Sequence, residues 1–264
     1  MEITITPENA ELNQRLQQLH ADFTEVFIAH KTMVEDQSPI LTSLYLEKLG
    51  RFQLILLERQ TELSRIKMKI SMIQAAINRN ESPDMDAINR EVSARLEKYY
   101  KQIAEQSSAI DSAKSVLSGL LSVDETKKLK EVFYVLCKRL HPDLNPGQSE
   151  DDKDLFITVK AAYDLQNLTE LQRILLFVDE HKSSDLLTHS SDEKLNRIEQ
   201  LGKNIAALRS KIDQLRMVFP FTMEAMLNDE DQLNEKQKEV EAETAAIHEE
   251  LLKQQAILEL LCDE

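Results

Sequence analysis

The sequence predicts an all-α protein of long antiparallel helical hairpins, coiled-coil-like, with a small helical domain inserted between them. Three observations carry that expectation. Glycine and proline are sparse, four and six in 264 residues, and tryptophan is absent. Charged residues reach 30 %, and Leu, Ile, Glu, Lys and Gln dominate, a composition of long helices rather than of sheets. Apolar residues recur at alternating spacings of three and four along most of the chain, the stripe of an amphipathic helix.

Thr6-Pro7-Glu8 starts the first helix, a capping hydroxyl followed by proline at the first helical position. Leu12, Leu16, Leu19, Phe23, Val26 and Met33 form its stripe. Ser38-Pro39 repeats the start signal, so this helix is expected to end near 37 and a second to run from about 39 to 79. The second stripe is Phe52, Leu56, Leu63, Ile66, Ile70, Ile73 and Ile77. Ser82-Pro83-Asp84 opens a third helix with Ile88, Val92, Tyr99, Ile103, Ile110, Ala113 and Leu117. The connection Asn78–Glu81 is short, which folds the second and third helices back antiparallel. Residues 1–120 thus read as an N-terminal arm.

The pattern resumes after residue 190. Ser191-Asp192-Glu193 opens a helix carrying Leu195, Ile198, Leu201, Ile205, Leu208, Ile212 and Leu215, and Pro220 breaks it. A last helix carries Leu233, Val240, Ile247, Leu251, Leu258 and Leu261, so 190–264 reads as a second hairpin. Gln237, Thr244 and Gln254 at seam positions weaken it. Ile103, Ile110 and Leu117 are expected to approach Leu195, Ile198 and Leu201 as an internal stalk; pairing of these seams between chains is the competing arrangement, so oligomeric state stays open.

The middle, 121–182, is denser in apolar residues. LKEVFYVLCKRLHPDLNPG leads into DDKDLFITVKAAYDLQNL. Pro142 pushes His141 out of the helical region, so the helix stops near Leu140. Asp143 is then expected as a free carboxylate in an exposed loop stiffened by Pro142 and Pro146. Such an acceptor suits a partner's arginine, which bonds a carboxylate with two parallel N–H groups.

This segment resembles the J domain of DnaJ-type co-chaperones. Leu129, Phe133, Leu136, Cys137 and Leu140 fall where that family buries its second helix. His141-Pro142-Asp143 follows at once, and Phe156, Val159, Ala162, Tyr163 and Leu165 match the core of the next helix. The resemblance implies a partner, the nucleotide-binding domain of a DnaK-type chaperone, whose ATP hydrolysis J domains stimulate. It also implies that exposed cations of the second helix meet an acidic patch there; the candidates are Lys127, Lys128, Lys130, Lys138 and Arg139. Glu131, Tyr134 and Val135 stand at exposed positions often basic in the family, which weakens that steering. SAKSVLSGLLSVDETKK does not match the family's first helix, leaving the third helix to take that place, and TELQRILLFVDEH continues helical where the family stops.

Net charge is −15, which argues against nucleic acid or an anionic membrane as the main partner. Cys137 and Cys262 are far apart and outside any CxxC spacing, so no disulfide framework is expected. The N-terminus lacks a basic region followed by an apolar run, and LILL at 54–57 is far short of a membrane span. The expectation is a cytoplasmic protein. Asp151, Asp152 and Asp154 read as acidic residues at a helix N-terminus rather than a metal site. His181, Asp185 and His189 share a helical spacing, but Ser183-Ser184 and Ser190-Ser191 mark linker instead of zinc ligands. Met217, Phe219, Phe221, Met223 and Met226 read as tip packing. No nucleophile–base pair or phosphate-cradling glycine loop is visible, so neither an enzyme, a cofactor nor a metal is expected. Two functions compete. In the first, a co-chaperone has arms that position a client the sequence does not name. In the second, a structural coiled-coil adaptor uses its J-like domain only for packing.

Overall fold

The computed structural model describes residues 7–120, 122–181 and 191–263. Thr6, the linker serines Ser183, Ser184 and Ser190, and Asp185 and His189 lie outside them. In chain order the helices are α1 Pro7–Thr32, α2 Ser38–Tyr45, α3 Arg51–Asn78, α4 Met85–Ser118, α5 Val123–Leu140, α6 Glu150–Asp164, α7 Leu168–His181, α8 Ser191–Arg216, α9 Glu224–Leu227 and α10 Glu230–Asp263. Single π-helical turns, Met33–Gln37 and Leu46–Gly50, flank α2. The described residues contain no strand, so the class is all-α. No described helix is long and apolar enough to cross a membrane.

The chain folds as two compact units, Met1–Pro39 with Leu120–Phe221, and Ile40–Gly119 with Thr222–Glu264. Each joins segments distant in sequence, unlike the expected succession of arm 1–120, inserted domain 121–182 and hairpin 190–264.

In the first unit the expected stop near 37 is absent. Ser38 is helical at φ −61° and ψ −48°, and its N–H donates to the Met33 carbonyl. A proline ring in a regular helix clashes with the carbonyl four residues back and leaves one hydrogen bond unmade. The wider π turn ahead of Pro39 is a distortion that absorbs both.

Ser122 caps α5 and Ser149 caps α6, each in a reciprocal box with Glu125 and Asp152 respectively. The domain core joins Leu129, Phe133, Leu136, Cys137 and Leu140 of α5 to Phe156, Val159, Ala162 and Tyr163 of α6. Leu171, Ile174 and Val178 of α7 close it. Leu165 is not in this core; it follows the end of α6 and is 79 % exposed. The helix does not continue from there. Gln166 adopts a left-handed φ of 52°, and the Asn167 N–H reaches back to the Ala162 carbonyl. Asn167 Oδ1 then accepts the Glu170 N–H to start α7.

Phe27 and Ile28 of α1 pack on this core, the place expected for the third helix. The preceding turns of α1 face α8, with Leu16 and Phe23 against Ile198, Leu201 and Ile205. Three of the residues expected in the stalk, Ile198, Leu201 and Ile110, pack within their own units. Ile198 and Leu201 are covered by α1, Leu195 is exposed, and Ile110 packs at Gly50, where an added Cβ would lie 3.1 Å from its Cγ1.

In the second unit, Asp84 caps α4 by accepting the Ala87 N–H at 2.9 Å. Ile73 of α3 packs with Ile88, Val92 and Leu96 of α4. Leu96 is fully buried, whereas Tyr99, placed in the stripe, is 46 % exposed. Helix α10 lies on α3 through Leu251, Ile66 and Ile70, as α8 lies on α1 in the first unit. The polar seam residues of α10 find acceptors. Gln237 donates to the Lys48 carbonyl at 2.8 Å and Thr244 to the Val240 carbonyl at 2.8 Å.

Tyr163 joins the domain core to the end of α1. It is 1 % exposed, stacks on Phe133 with ring centroids 4.1 Å apart, and donates to Asp36 Oδ2 at 3.0 Å. We expect Tyr163→Ala to cost about 3 kcal/mol of stability, and Tyr163→Phe about 1.5–3 kcal/mol, the loss of a hydrogen bond to a charged group. Denaturant unfolding measures both. A Tyr163→Ala midpoint equal to wild type would show that α5 and α6 do not pack this way.

Candidate functional site

The loop at the end of α5 is built by its own backbone. His141 leaves the helix at φ −66° and ψ 128°, the extended conformation that a following proline imposes. Its carbonyl accepts the Leu144 and Asn145 N–H groups, each at 2.9 Å, and Asn145 Nδ2 at 3.2 Å. Leu144 is buried against the α1–α8 seam and anchors the far side of the loop. Pro142 is exposed at the apex.

His141 itself is 9 % exposed. Its ring makes edge contacts with Phe23, Phe27 and Phe156 at centroid distances of 4.9, 4.6 and 5.0 Å. Nδ1 accepts the Asp143 N–H at 3.0 Å. A nitrogen that accepts carries no proton, so the imidazole is neutral. Burial lowers its pKa to about 4; the Asp143 charge opposes that shift and Lys160 adds to it. On α1, His20 is also lowered to about 4, first by burial and then by the charges of Arg197 and Lys138.

The structure corrects the expectation that Asp143 is a free, exposed acceptor. The residue is half-buried. Asn204 Nδ2 donates to its Oδ2 at 3.0 Å, and the Arg197 guanidinium donates to its backbone carbonyl. Both donors belong to α8, more than 50 residues downstream. Arg197 is itself half-buried, and desolvation lowers its pKa against the pull of Asp143. It borders, with Leu16, His20, Leu144 and Lys194, a cavity of about 240 Å³ beside the loop.

The candidate cations divide. Lys127, Lys128 and Lys138 are exposed on α5, and Arg139 is half-buried. Lys130 turns toward the end of α1, 3.8 Å from Asp36 Oδ2. Glu131 is exposed as expected, but Tyr134 and Val135 are half-buried rather than on the open face. Asp152 is taken up by the Ser149 cap. Among the described residues no group of His, Cys, Asp and Glu could hold a metal ion. Cys137 is buried and its thiol pKa is raised by desolvation, the environment of an inert core cysteine.

The loop thus depends on residues outside the motif. Phe23 was visible in the sequence only as part of an apolar stripe, Phe27 was not among the residues of that stripe, and Arg197 and Asn204 carried no signal that tied them to the loop. Comparison with protein-family models, curated proteins and solved structures finds no match.

The two depressed histidines set a pH dependence. Each has a folded pKa near 4, below the ordinary 6.5, so the unfolded chain takes up the proton first as pH falls. Their stability contribution is present above 6.5 and is lost between 6.5 and 4, on the order of 3 kcal/mol for each. We expect the denaturation midpoint to drop steeply from pH 7 to 4.5, and less steeply in His141→Asn. An unchanged slope in that variant would show that His141 is not buried in its neutral form.

Proposed function

We propose that this chain is a J-type co-chaperone of the cytoplasm. Its domain at 122–181 recruits a DnaK-type chaperone through His141-Pro142-Asp143 and stimulates that partner's ATP hydrolysis. The remaining helices position a client or assembly. The observation that carries this reading is the loop. A helix ends at a proline-fixed corner, the histidine is buried as an anchor, and the aspartate stands two residues later, bonded through its N–H to that histidine. Such a loop holds a carboxylate in one orientation and lowers the entropy lost when an arginine pairs with it. Lys127, Lys128 and Lys138 supply an exposed basic face on the same helix, suited to steering toward an acidic surface. On this reading the chain performs no catalysis of its own; the hydrolysis belongs to the partner.

A second reading is favoured by one observation. Asp143 already has Asn204 and Arg197 as partners, as in a structural adaptor whose J-like domain serves only for packing. A chaperone ATPase assay with the full chain separates the two. We expect stimulation that Asp143→Asn abolishes with helical content unchanged by circular dichroism. Equal stimulation by wild type and Asp143→Asn would overturn the proposal.

A further inference from the structure

The contacts on Asp143 assign α8 a role beyond packing, and we infer that it is an autoinhibitory strap over the His141–Asp143 loop. The inference rests on the co-chaperone reading. An arginine that pairs bidentately needs both carboxylate oxygens and an open approach in their plane. Here Asn204 occupies Oδ2 and Arg197 sits on the carbonyl of the same residue. Arg197 and Asn204 each precede a seam residue, Ile198 and Ile205, that packs on α1. They are seven residues apart, two helical turns, and so share one side of α8. The apolar seam therefore sets both donors beside the loop, and α8 presents to Asp143 the group a partner would bring, a guanidinium, together with an amide.

Closure and access exclude each other at this carboxylate. While Asn204 and Arg197 hold Asp143, the chaperone finds the acceptor occupied; when they swing away, the loop keeps its shape, because its own hydrogen bonds run through the His141 carbonyl and Nδ1. A partner that binds only the open state has its apparent affinity reduced by the fraction open. Loosening the strap raises stimulation without adding any contact to the chaperone.

The test uses the full chain in a DnaK-type ATPase assay below saturation. Asn204→Ala removes the donor to Oδ2, and Asn204→Asp sets a second carboxylate against the first. We expect both to stimulate about tenfold more than wild type, the population change that follows from losing one hydrogen bond to a charged group. The gain should vanish when Asp143→Asn is added. Amide exchange at 143–145 should quicken in the same variants, with helicity intact. Stimulation by both Asn204 variants equal to a stimulating wild type would overturn the strap and leave the co-chaperone reading standing. No stimulation by the wild type or by either variant would overturn both.

Discussion

The neutral imidazole of His141 is the constraint on which the first unit depends. Three elements meet at its ring: α1 through Phe23 and Phe27, α6 through Phe156, and α5, which delivers the histidine as it ends. A charged ring there would be surrounded by phenyl groups, a placement that low polarity penalises more than the nearby Asp143 charge offsets. Kept neutral, it offers Nδ1 to the Asp143 N–H and so fixes where the carboxylate begins. The motif reads outward from this point, with histidine as anchor, proline as corner and aspartate as the half-buried acceptor that α8 meets.

Helix α1 then serves two surfaces at once. Phe27 and Ile28 cover the core of α5–α7, while Leu16 and Phe23 face α8. Near its end Lys31 is buried, bonded to Asp164 at 2.6 Å and paired with Glu35 at 2.5 Å, and lies over the rings of Phe133 and Tyr163. A buried ammonium gains little net stability, because its desolvation offsets most of the attraction. Removing one partner, however, strands a charge, so the pair fixes the register of α1 on α6 more than it adds to stability. That register places Phe23 and Phe27 at His141.

The sequence made the all-helical class and the α5–α6 core legible, because both are written in local periodicity and adjacent segments. Leu129, Phe133, Leu136 and Tyr163 needed no distant information. Three things were not legible. Ser38-Pro39 reads as a start signal, and nothing local announces a π turn that lets a helix pass through it. The partners of the long helices were not legible either, since Ile198 and Leu251 are equally good seam residues for any apolar stripe and only the folded chain assigns α1 to one and α3 to the other. The occupied state of Asp143 was hidden for the same reason. Arg197 and Asn204 flank a seam whose partner was unknown, so their direction was unknown too.

Magnitudes decide how a strap of this kind would open. Lifting α8 from α1 would expose Ile198, Leu201 and Ile205, buried in the seam with Leu16 and Phe23. At about 1.5–3 kcal/mol for each buried aliphatic side chain, that costs on the order of 5–9 kcal/mol, comparable with the whole stability of many domains. Releasing Asn204 and Arg197 from Asp143 costs far less, since each gives up a protein hydrogen bond and regains one from water. The cheaper motion is therefore a rotation of two polar side chains, one long and one short, with α8 in place. An incoming arginine would exchange with Arg197 and Asn204 at the loop rather than wait for a helix to leave. The seam holds the strap's backbone at the loop, and the two side chains alone decide whether Asp143 is available.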